Sequence, residues 1–342
     1  YSTWIYNGVG VPMDKKEGFK LLMKAVDKKN QNAIAYYGTL MLYGFIPAKD
    51  LHYALQMVKN AADEGSPWGM NSYAAAIMGA SDNPSNCIEG IKYLRRAIKK
   101  GFRTAFQNLA IKYLNGEGVP KDLNKSTQLY LNAIERGCTR AMTGYAISLR
   151  DGDFGTPNVK ESIKYFKMAI EREDKYAMYY YGMMLKNGDR IPENKKEAAR
   201  LFKMSYERDM DDSAYEYALM LYNGDVIPCD KKKAAKLFKY AIDNENEDAL
   251  YYYALMLQNG EGVHMNKKEA AHYYKMSAMK GNGNSIFKLA CMHYNGDGIP
   301  VNKNEAYRLY KLGYEKGNLD SMFNYALMLN YGEGVPMNKK EA

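Results

Sequence analysis

The 342-residue chain contains no run of 18 apolar residues, so no stretch of it reads as a helix able to cross a bilayer. Cysteine is scarce. Cys87, Cys138, Cys229 and Cys291 stand far apart and never at equivalent positions of the pattern described below. A recurring disulfide staple is therefore excluded, and reduced thiols in a cytoplasmic compartment are a simpler reading than the lumen of the endoplasmic reticulum. Histidine is equally scarce, at His52, His264, His272 and His293. Only Cys291 and His293 come close together, two ligands where a tetrahedral site needs four, so they read as core residues and no metal is expected. No Gly-rich phosphate loop follows a strand pattern, because there is no strand pattern, and no other cofactor is implied. No linker, charge block or low-complexity tail interrupts the chain. The sequon Asn124-Lys125-Ser126 falls in the first turn of a predicted helix and reads as a chance match. Catalysis needs unlike groups converging at one point. Here the polar groups recur as columns, acids such as Asp211 and Asp212 read as a solvated turn, and a non-enzyme is expected.

What the chain does have is a phrase repeated every 36 residues. Gly38, Ala74, Ala110, Ala146, Gly182, Ala218, Ala254, Ala290 and Ala326 form one small column, and each is preceded by tyrosine or leucine, as in Tyr73, Leu109, Tyr145 and Tyr217. Ser2 and Tyr1 fit the same columns one period earlier, and no net insertion or deletion breaks the count. Fixed-period similarity of this length signals a solenoid, in which each unit buries its apolar face only against its neighbours. The fold class expected is all-α, an αα-solenoid of about nine and a half helix pairs. The expected domain organisation is one continuous array over residues 1–342, opening in mid-pattern at Tyr1 and stopping at Ala342 as another unit begins, hence a piece of a longer chain cut at both ends.

Each unit holds two helices, here termed the lysine helix and the tyrosine helix. The first is introduced by a column of Asp or Asn: Asp14, Asp50, Asn86, Asp122, Asn158, Asn194, Asp230, Asn266, Asn302 and Asn338. Such side chains accept from free amides at a helix start, worth ~1 kcal/mol each. Glu17, Glu89, Glu161, Glu197, Glu269, Glu305 and Glu341 follow at capping-box spacing. Along the helix, small residues such as Ala198 and Ser205 alternate with large ones such as Leu201 and Phe202 at spacings of three, four and seven, which place them on one face. The tyrosine helix ends at Asn-Gly, as in Asn187-Gly188 and Asn259-Gly260, where glycine supplies a left-handed cap. Gly-Val-Pro or a relative then turns the chain into the next lysine helix, as at Gly118-Val119-Pro120.

Taken together, the small-xxx-Tyr/Leu-small tyrosine helix, the Gly-x-Gly-Val-Pro turn and the Asp-xx-Lys-Ala-xx-Leu-Tyr-xx-Ala lysine helix resemble the Sel-one-like repeat, a relative of the tetratricopeptide repeat. The resemblance covers the whole chain. It implies a right-handed superhelix of helix pairs that holds other proteins together. It also brings to mind adaptors of membrane-associated complexes, and secreted members with a cysteine pair in every unit; this chain lacks that pair.

Two columns stand out from the repeat. One holds Ala35, Asn71, Gln107 and Thr143, then Tyr179, Tyr215, Tyr251, Phe287 and Phe323. It sits about 130° from the centre of the core face on a helical wheel. If the tyrosine helix lines the concave side, these rings form a ladder in the groove, and aromatic anchors are what interfaces favour. Otherwise they fill the seam between units. The second column is Lys195, Lys231, Lys267, Lys303 and Lys339, with Lys196, Lys232, Lys268 and Lys340 beside four of them; earlier units carry Leu51, Cys87, Leu123 and Val159 there. It is either a solvated face or a strip for an acidic partner, consistent with a net charge of +9. No nucleic acid is expected, since arrays that read bases vary base-specific side chains where this chain repeats lysine. The function expected is a protein–protein scaffold or adaptor. The alternative is a structural brace built into a large assembly, such as a cytoskeletal or microtubule-based filament with an acidic surface.

Reduced cysteines make a direct expectation. Unfolding without reductant and alkylating should add four adducts to the intact mass; fewer adducts would reveal a disulfide and an oxidising compartment.

Overall fold

A computed structural model of the protein describes residues 15–48, 50–79, 83–334 and 336. All regular structure among them is helical. The chain divides into two compact units, residues 1–174 and 175–342. The first contains α1 (Lys15–Asp27), α2 (Gln31–Leu42), α3 (Leu51–Asp63), α4 (Pro67–Gly79), α5 (Pro84–Lys99), α6 (Arg103–Asn115), α7 (Leu123–Glu135), α8 (Thr139–Asp151) and α9 (Val159–Ile170). The second contains α10 (Lys175–Asn187), α11 (Lys195–Tyr206), α12 (Asp211–Asn223), α13 (Lys231–Asp243), α14 (Asp248–Asn259), α15 (Lys267–Met279), α16 (Gly283–Asn295), α17 (Lys303–Glu315) and α18 (Leu319–Tyr331). Odd-numbered helices are lysine helices and even-numbered ones tyrosine helices. Within each unit consecutive helices pack on one another, so each is an all-α solenoid of helix pairs.

The cap column does its expected work. Asp122, Asn158, Asn194, Asp230, Asn266 and Asn302 each accept, through a side-chain oxygen, the amide three residues on, at 2.9–3.1 Å. The reciprocal half of the capping box takes another form. The backbone N–H of each of these caps donates to the carbonyl nine residues earlier, as from Asn194 to Leu185 and from Asn266 to Leu257 (both 2.8 Å), which ties the new helix to the end of the previous one. The glutamates turn outward instead: Glu161 meets Lys164, Glu197 meets Arg200 and Glu305 meets Arg308. One unit departs from the column. Asn83, not Asn86, caps α5, because Pro84 is pre-set for the first helical position and starts the helix a turn early. Tyr1, Ser2, Asp14, Asn338 and Glu341 lie outside the described residues.

Packing follows size. Ala74, Ala110, Ala146, Ala218, Ala254 and Ala290 are completely buried, as are the rings of Phe166, Phe202, Phe238 and Tyr274 on the lysine helices. At Gly182, where the column loses its last methyl, an added Cβ would lie 2.9 Å from the ring of Phe202. The preceding tyrosine column meets the next lysine helix ring on edge: Tyr73 with Tyr93 (4.9 Å), Tyr145 with Tyr165 (5.1 Å) and Tyr253 with Tyr273 (5.1 Å). Such pairs contribute roughly 0.5–1.5 kcal/mol beyond the area they bury. Several serines in the small columns satisfy their hydroxyls on neighbouring carbonyls, although that of Ser321 is buried without a partner among the described residues. Ser126 donates to the Ala110 carbonyl and Ser162 to that of Ala146.

Replacing Ala218 with phenylalanine should therefore destabilise the second unit by about 1–3 kcal/mol. A thermal midpoint equal to that of the parent protein would refute the packing register.

Candidate protein-binding surface

The lysine column is shaped by the glycines of the helix-end turns. Gly260 and Gly296 cap α14 and α16 in the left-handed conformation. The second glycine of each Gly-x-Gly, also at positive φ, lies against the first residue of the lysine helix of its own unit. An added Cβ on Gly262 would lie 2.3 Å from the Lys231 backbone, and one on Gly298 would lie 2.5 Å from Lys267. This close approach carries the acid between the two glycines onto the lysine. Lys231 pairs with Glu261 at 2.8 Å, Lys267 with Asp297 at 2.7 Å and Lys303 with Glu333 at 3.3 Å. Lys231 and Lys303 also lie 5.0 Å over the rings of Tyr222 and Tyr294. Where valine replaces the second glycine, at Val226, the ammonium of Lys195 turns instead to Glu193 at 3.2 Å. Three of the strip's lysines are thus clasped within the protein, while Lys196, Lys232 and Lys268 beside the column are exposed. Lys339 and Lys340 lie outside the described residues.

The aromatic column occupies one face of α10, α12, α14, α16 and α18, all in the second unit. Tyr179, Tyr215, Tyr251 and Phe287 are half-buried. Each leans on the buried ring 23 residues later, Phe202, Phe238, Tyr274 or Tyr310, with centroids 6.0–6.1 Å apart. Phe323 lacks a following helix among the described residues and is 63% exposed. One side of Tyr179, Tyr215, Tyr251 and Phe287 thus fills the seam between successive repeats, and the rest of each ring stays partly exposed.

Their hydroxyls contrast with those of several buried or half-buried tyrosines elsewhere in the chain. Tyr93 donates to Asp63, Tyr240 to Asp211, Tyr274 to Gln258 and Tyr310 to Cys291. Among the described residues, nothing hydrogen-bonds the hydroxyls of Tyr179, Tyr215 or Tyr251, and none of the three is a buried orphan. Burial raises all three phenols, Tyr179 to about 12, so they remain protonated donors near neutrality. The sequence columns did not single out their neighbours. Tyr180 contacts Tyr179 at 5.3 Å, and Tyr252 lies between Tyr215 (6.2 Å) and Tyr251 (5.2 Å) while stacking on Phe238 (5.5 Å). Glu216, 7% exposed, is held by Lys186 at 2.6 Å. Tyr180, Glu216 and Tyr252 share a column of mixed character, so no repeat signal marks them.

Elsewhere, Cys291 accepts from Tyr310 at 3.3 Å and its thiol is raised by burial. His293 is half-buried, which lowers its pKa, and its carbonyl accepts from the Asn302 amide. In the first unit Leu51 is 64% exposed near the exposed Tyr43 and Phe45 in sequence, whereas Leu123 and Val159 are half-buried.

The sequence model of the Sel1 repeat family matches ten segments: residues 2–30, 31–66, 79–102, 107–138, 139–174, 175–210, 211–246, 247–282, 283–318 and 319–342. Among solved structures, a Sel1 repeat protein from Oxalobacter formigenes is 20% identical, with a TM-score of 0.58 over 88% of this chain and 86% of that one. The protective antigen c5321 of uropathogenic Escherichia coli, which displays an SLR fold, is 18% identical, with a TM-score of 0.55 over 98% of this chain and 80% of that one. At these identities the likeness is one of fold. No curated protein sequence matches the chain.

The clasps predict an acid-sensitive contribution to stability. Hydrogen bonds from Lys231 and Lys267 hold Glu261 and Asp297 below the usual carboxylate range, and the hydroxyl of Tyr294, with Lys303 beside it, does the same for Glu333. A carboxylate depressed by folding stabilises above its unfolded pKa, and that contribution fades as pH falls through the folded value. The loss should thus begin below about pH 4.5. Glu261→Gln with Asp297→Asn should lower the melting temperature at pH 7 by a few degrees at most, since exposed pairs are weak. The double variant should also lose less between pH 6 and pH 3 than the parent does. Identical acid slopes would show that the clasps contribute nothing.

Proposed function

The chain belongs to the Sel1 repeat family, and from this premise we propose that it is a non-enzymatic adaptor holding a partner protein against the tyrosine-helix face of its second unit. Sel1 repeat proteins generally act as protein–protein interaction scaffolds. The observation that carries the reading is the run of Tyr179, Tyr215 and Tyr251, whose rings are braced from behind and whose protonated hydroxyls have no partner within the described residues. A rigid ring with a free polar tip loses little entropy on binding and offers both apolar area and a hydrogen bond. Repetition at a constant interval spreads these contacts along one face, as an extended or helical segment would require.

The brace on an acidic lattice draws on the lysine column, whose members Lys231, Lys267 and Lys303 already hold carboxylates of this chain. The ladder is the better supported surface. Partners captured from a cell lysate and identified by mass spectrometry at two salt concentrations supply the assay. Tyr215→Ala with Tyr251→Ala should weaken capture of such a partner at least tenfold, the loss of two central anchors of roughly 1–2 kcal/mol each. Lys231→Glu with Lys267→Glu should mainly alter binding at low salt, because exposed charges are screened over ~8–10 Å. Binding that survives the tyrosine changes and fails only with the lysine changes would reverse the choice.

A further inference from the structure

The ladder's immediate electrostatic surroundings differ from those of the chain as a whole. The residue 33 positions after each ladder ring sits one turn before the next ring, in the first turn of the next tyrosine helix. It is Asp212 after Tyr179, Asp248 after Tyr215, Asn284 after Tyr251 and Asp320 after Phe287. All four are exposed. No ion pair engages Asp212, Asp248 or Asp320 among the described residues, whereas the turn acids Glu261, Asp297 and Glu333 are each taken by a lysine. The carboxylates of Asp212, Glu216 and Asp248 lie close enough to the Tyr179 phenol to add to its rise, and those of Asp248 and Glu216 do the same at Tyr215. Most cations nearest in sequence are engaged. Lys186 is held by Glu216, Lys175 donates to the Asp209 carbonyl, Arg208 donates to the Met204 carbonyl and Lys280 pairs with Glu247, while Lys288 stands beside Phe287 at the far end of the ladder.

The two columns also change together. In the first unit, Ala35, Asn71, Gln107 and Thr143 hold the ladder positions, and Asn32, Trp68, Thr104 and Arg140 hold the others: no ladder ring and no acid. Rings and carboxylates both enter the pattern in the second unit.

We propose that the tyrosine-helix face of the second unit takes a basic segment of a partner protein, with arginine side chains stacked on Tyr179, Tyr215 and Tyr251 and paired with Asp212 and Asp248. This rests on the adaptor reading above and names the chemistry of its partner. Arginine suits the site because its planar guanidinium stacks on an aromatic face while its fork binds a carboxylate. The net charge of +9 does not oppose this. Screening confines the effective field to ~8 Å at physiological ionic strength, and within that range the unpaired groups beside the Tyr179–Tyr215 end of the ladder are acidic. An acidic peptide and the nucleic-acid backbone would both be repelled there.

The test uses the 342-residue chain and three fluorescent peptides of equal length: octa-arginine, octa-glutamate and a neutral Gly-Ser repeat, followed by anisotropy at low and high salt. Octa-arginine should bind, the other two should not, and high salt should weaken the complex. Asp212→Asn with Asp248→Asn, isosteric changes at exposed positions, should reduce octa-arginine affinity about tenfold while leaving the helical circular dichroism and melting temperature unchanged. Tyr215→Ala with Tyr251→Ala should reduce it at least as much. Octa-arginine binding that ignores the aspartate changes overturns the proposal, since the peptide is then held elsewhere. Absence of binding by any peptide also overturns it and leaves the adaptor reading to the captured-partner assay. Preferential octa-glutamate binding that the tyrosine changes abolish would keep the face as the binding site and refute its basic partner. Octa-glutamate binding that survives them would refute both.

Discussion

The structure depends on the close approach of two helices at a column with almost no side chain. Ala74, Ala110, Ala146, Ala218, Ala254 and Ala290 are buried to the last atom, and twenty residues on the next lysine helix supplies a large buried side chain, Leu94 after Ala74 and a ring after each of the others. A larger residue would push the helices apart, and a smaller ring would leave a void; either change removes dispersion contacts that the dense interior supplies. Each unit solves this problem only with its neighbour. The ring-on-edge contacts of Tyr73, Tyr145 and Tyr253 with the next helix, and the caps that donate their amides back to Leu185 and Leu257, reinforce the same boundary from different directions. The ladder inherits its rigidity from this arrangement. A tyrosine leaning on a buried phenylalanine has little freedom to lose when something else touches its outer side.

Much of the fold was legible because the repeat measures every position many times. Columns of alanine, of cap residues and of helix-ending glycine each state a local requirement, and agreement among nine units removes the ambiguity of any single one. What escaped were departures from the columns and pairings across them. Pro84 moved a helix start within one unit, and a column average has no place for that. The glutamates stand at capping-box spacing but turn to Arg200 and Arg308, because the amides they would have met are already donated to carbonyls of the preceding helix.

The candidate surface was legible in part. The ladder's existence followed from a column of rings, but the state of each hydroxyl depends on what lies opposite it on another helix. The lysine strip shows the same limit. As a column it reads as a run of positive charge. In three dimensions Glu261, Asp297 and Glu333 reach it from turns some thirty residues away in the sequence, and much of its charge is answered locally. Conversely, Asp212 reads as a solvated turn residue until the ring on the preceding tyrosine helix is seen beside it. Charge counted along a chain and charge met by a partner are different quantities in a protein whose neighbours in space are a full period apart.

The turn around Gly260–Asn266 must do two things at once. Behind it, Gly262 rests on the backbone of Lys231; ahead of it, Asn266 caps α15 and donates its amide to Leu257. Both anchor points belong to rigid helices, so the number of residues between them is fixed by distance, as in a link of set length. One inserted residue would lift the glycine from the lysine backbone or pull the cap from its helix. The uninterrupted 36-residue count is then a geometric necessity at this turn. A turn that has lost the second glycine, as at Val226, lacks one of these two anchors and keeps only the cap, since Asp230 still donates its amide to Leu221.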